Sequence, residues 1–167
     1  MAYQRVLLAY DGTAQGRSAL REGAILARRF RAKVFLLSVV AETPGLRIAE
    51  GQLPGAVSQH LESFRKVLET GVENLRRLGL EPDSKLMVGE PSVEIGAYAR
   101  QIKADLVVVS HRKQSLVERW WVGATGGYLV DRIDCSLLIS RLHIDDATVE
   151  RELRRIEAEE AAAKPGP

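Results

Sequence analysis

The sequence predicts a doubly wound α/β domain built on a five-stranded parallel sheet. Three observations carry that prediction. Five short apolar runs recur along the chain, they are continuous rather than alternating, and stretches of helical spacing separate them. Continuous β-branched or leucine-rich runs suit strands buried on both faces, and intervening helices are what bury them.

The runs are Val6 to Tyr10, Val34 to Val40, Lys85 to Val88, Leu106 to Ser110 and Leu137 to Ser140. After the first, Ala19, Leu20, Ala24, Ile25 and Phe30 line one helical face. After the second, Val57, Leu61, Phe64, Val67, Leu68, Val72 and Leu75 form a stripe with charges opposite. The third helix starts behind Gly89-Glu90-Pro91, with proline near its first position, and carries Val93, Ile95, Ala97 and Ile102. A fourth is expected from Gly123, with Tyr128, Leu129 and Ile133. The connection from Ala41 to Gly55 contains Pro44, Gly45, Gly51 and Pro54 and reads as a mobile loop or lid.

The pattern changes after Arg141. Asp145-Asp146 can cap a last helix in which Val149, Leu153 and Ile156 share a face, followed by a frayed end to Pro167. Two units are therefore expected: an α/β domain over 1–141 and a helical tail over 142–167. The tail is expected to dock beside the fifth strand or on a partner subunit; a solvated, partly frayed helix is the alternative.

Composition bounds the function. Lysine and arginine total 24 against 22 acids, a net charge of +2, so no overall field favours nucleic acid. The single cysteine, Cys135, excludes an internal disulfide and a cysteine zinc site, and fits a reducing compartment. No apolar run approaches the roughly 20 residues of a membrane helix, and no signal-peptide pattern opens the chain. The expectation is a cytoplasmic, soluble protein without membrane insertion.

The most informative stretch is Asp105-Leu106-Val107-Val108-Val109-Ser110-His111-Arg112-Lys113, followed by Gly123-Ala124-Thr125-Gly126-Gly127. A buried strand runs into a basic loop, and a glycine-rich turn opens the next helix. In a parallel sheet this puts N–H groups and cations at the carboxyl end of a strand, where anions bind. No acid/base pair, metal cluster or P-loop with its lysine and hydroxyl is visible, so neither a catalytic residue nor a metal ligand is assigned. His111 has no second histidine at ligand spacing. Cys135 reads as a small buried hydrophobe rather than a nucleophile.

Several of these segments together resemble the universal stress protein family. Val6-Leu7-Leu8-Ala9-Tyr10-Asp11-Gly12-Thr13 is similar to its opening, and Leu36-Leu37-Ser38-Val39-Val40 to its second strand. Val88-Gly89-Glu90-Pro91 resembles its glycine-x-proline turn, and Ala104-Asp105-Leu106-Val107-Val108 its fourth strand. Asp134-Cys135-Ser136-Leu137-Leu138-Ile139 resembles its cysteine-proline entry to strand five, with Ser136 in place of proline. The match runs over about residues 3 to 141.

The resemblance implies a sheet in the order 3-2-1-4-5 and a ligand between Asp11 and the loop after Ser110. Many members bind ATP there through paired glycines, a spacer, then glycine and a hydroxyl. In this chain the aligned positions are Val109, Arg112, Gly123 and Ala124, and the spacer is one residue longer. Valine and arginine do not let a backbone approach phosphate as glycine does. The implied protein binds a ligand or partner through a degenerate nucleotide site. The alternative retains ATP or AMP with Mg and a weak ATPase or switch activity.

Each site residue has two readings. Asp11 faces a nucleotide's sugar or metal, or is a turn residue bonding nearby N–H groups. Val39 resembles an adenine-wall position, or is core. Gly89 allows ligand approach, or serves the turn before Pro91. His111, Arg112 and Lys113 replace lost amides as phosphate donors, or Arg112 fills the pocket and pairs with Asp11. Gly123, Ala124 and Thr125 offer amides and a hydroxyl to an anion, or Thr125 caps a helix. Trp120-Trp121 stands where the family has an aliphatic pair, and an exposed ring there suits a protein partner, as does the C-terminal helix. The family's fifth strand commonly pairs across a two-fold axis, which implies a homodimer through Leu137-Leu138-Ile139.

Overall fold

A computed structural model describes residues 3–41, 55–111, 129–140 and 143–162. The strands are β1 (Arg5–Ala9), β2 (Lys33–Ala41), β3 (Asp83–Gly89), β4 (Leu106–Ser110) and β5 (Ser136–Ser140). The helices are α1 (Ala14–Phe30), α2 (Ala56–Arg77), α3 (Pro91–Ile102) and α4 (Asp146–Ala162), with a 3-10 turn at Leu129–Arg132. All strand pairs are parallel, in the order β3-β2-β1-β4-β5. This is the expected sheet.

Alternation along β1 divides the interior into two layers. Val6 and Leu8 point toward α1 and α2, into a cluster with Leu36, Leu75, Ala24 and Val108. Leu7 points the other way, to Leu37, Ile95, Val107 and Leu129 on the α3 side. Removing each such aliphatic side chain from water contributes about 1.5–3 kcal/mol. On the α3 side, the Phe35 and Tyr98 rings meet edge to face at 6.4 Å.

The helix ends follow from local chemistry. The Thr13 hydroxyl accepts from the Gly16 N–H at 3.0 Å and caps α1. Arg31 and Lys103 end α1 and α3 in left-handed conformations, at φ 52° and 53°. Asp145 caps α4 by accepting the Thr148 N–H at 2.8 Å.

Three expectations change. The third helix buries Ile95, Tyr98 and Ala99, while Val93 and Ala97 are only partly covered. Phe30 does not lie in the core; it is 36% exposed and packs against Tyr3 at 5.2 Å. The tail helix lies on α1 of its own domain, not beside β5, with Val149 and Ile156 buried and Leu153 partly so. Of the expected fourth helix, the 3-10 turn with buried Leu129 and Ile133 is described; Gly123 to Tyr128 lie outside the described residues. So do 42–54, the body of the long connection after β2.

Candidate functional site

The chain leaves β1 for β2 on one side and later returns with β4 on the other. Leu8 pairs with Leu36 and with Val108, so the carboxyl ends of β1 and β4 are adjacent where strand order reverses. In open parallel sheets this is where ligands sit.

The first wall is the turn after β1. Tyr10 keeps one more ladder bond, its N–H to Leu37 C=O at 2.9 Å. The fully buried Ser38 hydroxyl then donates to Tyr10 C=O at 2.7 Å, satisfying the carbonyl as the strand peels away. Asp11 follows. Its Oδ1 accepts the Thr13 N–H at 3.0 Å and the Thr13 hydroxyl at 2.6 Å, and Thr13 in turn caps α1. Gly12 stands at φ +77°, with Val67 against the space a Cβ would take. Burial pushes the Tyr10 hydroxyl above its ordinary pKa against the opposing pull of the nearby Arg17 guanidinium. Asp11 therefore does the turn-building work that one of its two readings assigned to it.

The second wall is the end of β4. Val109 is buried in the α3-side core and pairs with Ile139; Ser110 pairs with Ser140. The His111 N–H donates to Ser140 C=O at 2.9 Å, so the ladder extends past the strand's last residue. The Ser140 hydroxyl oxygen is buried and has no hydrogen-bond partner among the described residues.

The remaining residues frame the crevice or fall outside it. Val39 is half-buried near the end of β2, opposite Met87. Gly89 ends β3 at φ +154°, a conformation that favours glycine, with the Glu94 carboxylate lying against it. The Ser92 hydroxyl donates to the Glu90 carboxylate beside it. Arg112, Lys113, Trp120, Trp121, Gly123, Ala124 and Thr125 lie outside the described residues.

Cys135 is half-buried, and burial, with Asp105 and Asp134 adding to it, raises its thiol pKa. That environment favours the thiol over the nucleophilic thiolate. Among the described residues no group of three His, Cys, Asp or Glu could hold a metal ion. Nor is any described helix long and apolar enough to cross a membrane. Sequence reasoning passed over Thr13, Ser38 and Ser140. The Asp-x-Thr spacing, with both groups able to bond local N–H donors, was the signal available for Thr13.

This is a doubly wound α/β fold whose strand order reverses between β1 and β4. The universal stress protein family model matches residues 2–141, and the chain belongs to that family. A universal stress protein of Methanocaldococcus jannaschii is 23% identical over 138 residues, covering 82% of this chain and 81% of that one. The universal stress protein UspA from Lactobacillus plantarum superposes with a TM-score of 0.66 at 22% identity, covering 84% of this chain and 99% of that one. A universal stress protein in complex with cAMP gives 0.62 at 20%, covering 84% and 98%. One from Archaeoglobus fulgidus in complex with dAMP gives 0.59 at 19%, covering 83% and 98%.

Proposed function

We propose that this chain is a stress-response regulatory protein that acts by binding a ligand or partner through a degenerate nucleotide site. The carrying observation is the end of β4. The position aligned with the first cradle glycine, Val109, is a buried strand residue, and the His111 N–H that could face an anion is spent on Ser140. What remains for an anion is supplied by sequence alone: Arg112, Lys113 and the Gly123-Ala124-Thr125 turn, opposite Asp11, Val39 and Gly89.

Calorimetry with ATP and magnesium tests this. The expected result is a dissociation constant no tighter than about 0.1 mM, near −5.5 kcal/mol. A submicromolar constant, about −8 kcal/mol or stronger, would overturn the degenerate-site reading. Arg112→Ala separates the two readings of that residue: improved binding marks Arg112 as filling the pocket. A loss of about 1.5–3 kcal/mol instead marks Arg112 as a phosphate donor.

The second reading is a retained adenine-nucleotide site with slow ATPase or switch activity. The relatives solved with cAMP and dAMP favour it. The same titration decides between the two.

We also propose a homodimer through β5. This strand ends the sheet, with Leu137 and Ile139 packing toward one layer and Leu138 toward the other, each only half-buried. Such an apolar edge invites strand pairing. Light scattering at tens of micromolar is expected to give the mass of two chains; a single-chain mass counts against it.

A further inference from the structure

Helix α4 lies on α1 with the numbering rising together along both, so the two run parallel. Arg21, about two turns into α1, meets Asp146 at the start of α4. Further along, Arg29 reaches Glu152 at 2.9 Å and Glu159 at 3.5 Å, and Glu160 lies 3.3 Å from Arg31 and 3.9 Å from Arg28. Two side chains of α4 are buried, Val149 and Ile156, two helical turns apart and each 3% exposed, with Leu153 partly covered between them.

The acids of α4 are placed for this contact and against the helix itself. Its last turn holds no base, while Glu159 and Glu160 sit near its carboxyl end, where the macrodipole disfavours anions. Arg28 and Arg29 occupy the favourable end of α1. Exposed and half-exposed ion pairs contribute little individually and weaken with salt. The groove is also incompletely filled. A cleft of about 360 Å³ remains beside Leu153, bordered by Leu20, Leu78, Arg17 and Arg77.

We propose that the arginine face of α1 is a docking surface for an acidic amphipathic helix, which α4 occupies in cis and a partner helix takes in trans. The partner carries two aliphatic residues two turns apart, carboxylates flanking them, and a bulky apolar residue between them that fills the cleft α4 leaves. Tethering gives α4 its advantage; the better-filled groove gives the partner its own.

The probe is a fluorescent synthetic peptide of residues 143–162 carrying Leu153→Trp, titrated into the full-length protein. The measurement is anisotropy at about 10 mM ionic strength, where the screening length is about 30 Å. Full-length Glu152→Lys/Glu160→Lys, with its own helix loosened, is expected to bind the peptide at least tenfold tighter than wild type. Adding Arg29→Glu should reverse that gain. Equal affinity for wild type and variant, indifference to Arg29→Glu, or no binding overturns the proposal. Wild-type protein supplies a test free of any variant's folding: excess peptide should speed hydrogen exchange of the chain's own amides 149–156. Unchanged exchange at saturating peptide also overturns it.

Discussion

Leu36→Ala is expected to lower the unfolding free energy by roughly 2–5 kcal/mol, the range for emptying a packed leucine site. Leu36 is 0% exposed and lies in the middle of β2, paired with Leu8 on one side and Ser84 on the other. Its side chain packs with Leu8, Leu75 and Val34 in the layer beneath α1 and α2. Hydrogen-bonded strands flank it, so the backbone cannot collapse into the void, which places the loss toward the upper part of the range. Urea unfolding checks it: the midpoint should fall with the slope unchanged. A loss under about 1 kcal/mol would mean that the α2 side of this layer repacks freely.

Gly23→Val is expected to cost roughly 1–3 kcal/mol, although helix propensity alone predicts a small gain. A Cβ at Gly23 would strike the end of the Leu8 side chain and lie 3.5 Å from Leu8 Cγ and Val108 Cγ2. Leu8 and Val108 are each 1% exposed and stand in register on the adjacent strands β1 and β4. The collision must therefore push α1 outward or force Leu8 out of its rotamer. Either shift reaches the turn at Asp11, because α1 begins at the Thr13 cap. Thermal unfolding gives the stability change. Backbone resonances of Asp11 and Thr13 should move as well; unmoved resonances would show that Leu8 absorbs the methyl groups alone.

The sheet was legible because its middle strands are buried on both faces, so β1, β2 and β4 appear as unbroken aliphatic runs. The edge strand β3 was read short by two residues at its start and one at its end. It begins at Asp83 and Ser84, which are exposed and carry no hydrophobic signal. In α3, the face was misjudged because Gly96 lets the 3-10 turn come close, which shifts the buried stripe to Ile95, Tyr98 and Ala99. Helix α4 was legible as a helix, but its seat was not. Pairing Asp146 with Arg21 or Glu160 with Arg31 joins residues more than a hundred positions apart, and local periodicity contains no record of that.

The candidate site divides in the same way. Asp11 was placed at the end of the first strand, with the turn role among its readings, because Thr13, which bonds to it, lies two residues on. The use of the His111 N–H by Ser140 was not foreseen, because it depends on strand pairing across a long gap. Arg112 and the glycine-rich turn remain known through sequence and family resemblance.

The hydrogen bonds of the first wall have a consequence for how such proteins diverge. Asp11, Thr13 and Gly16 are joined by local hydrogen bonds, and Tyr10 just before them is tied to β2 through Leu37 and Ser38. The opposite wall takes its shape from the pairing of β4 with β5, including the His111 N–H on Ser140. Substitutions in the sequence that follows β4 therefore leave the Asp11, Thr13 and Gly16 bonds in place. A lineage can vary that later segment and still inherit the turn that opens α1.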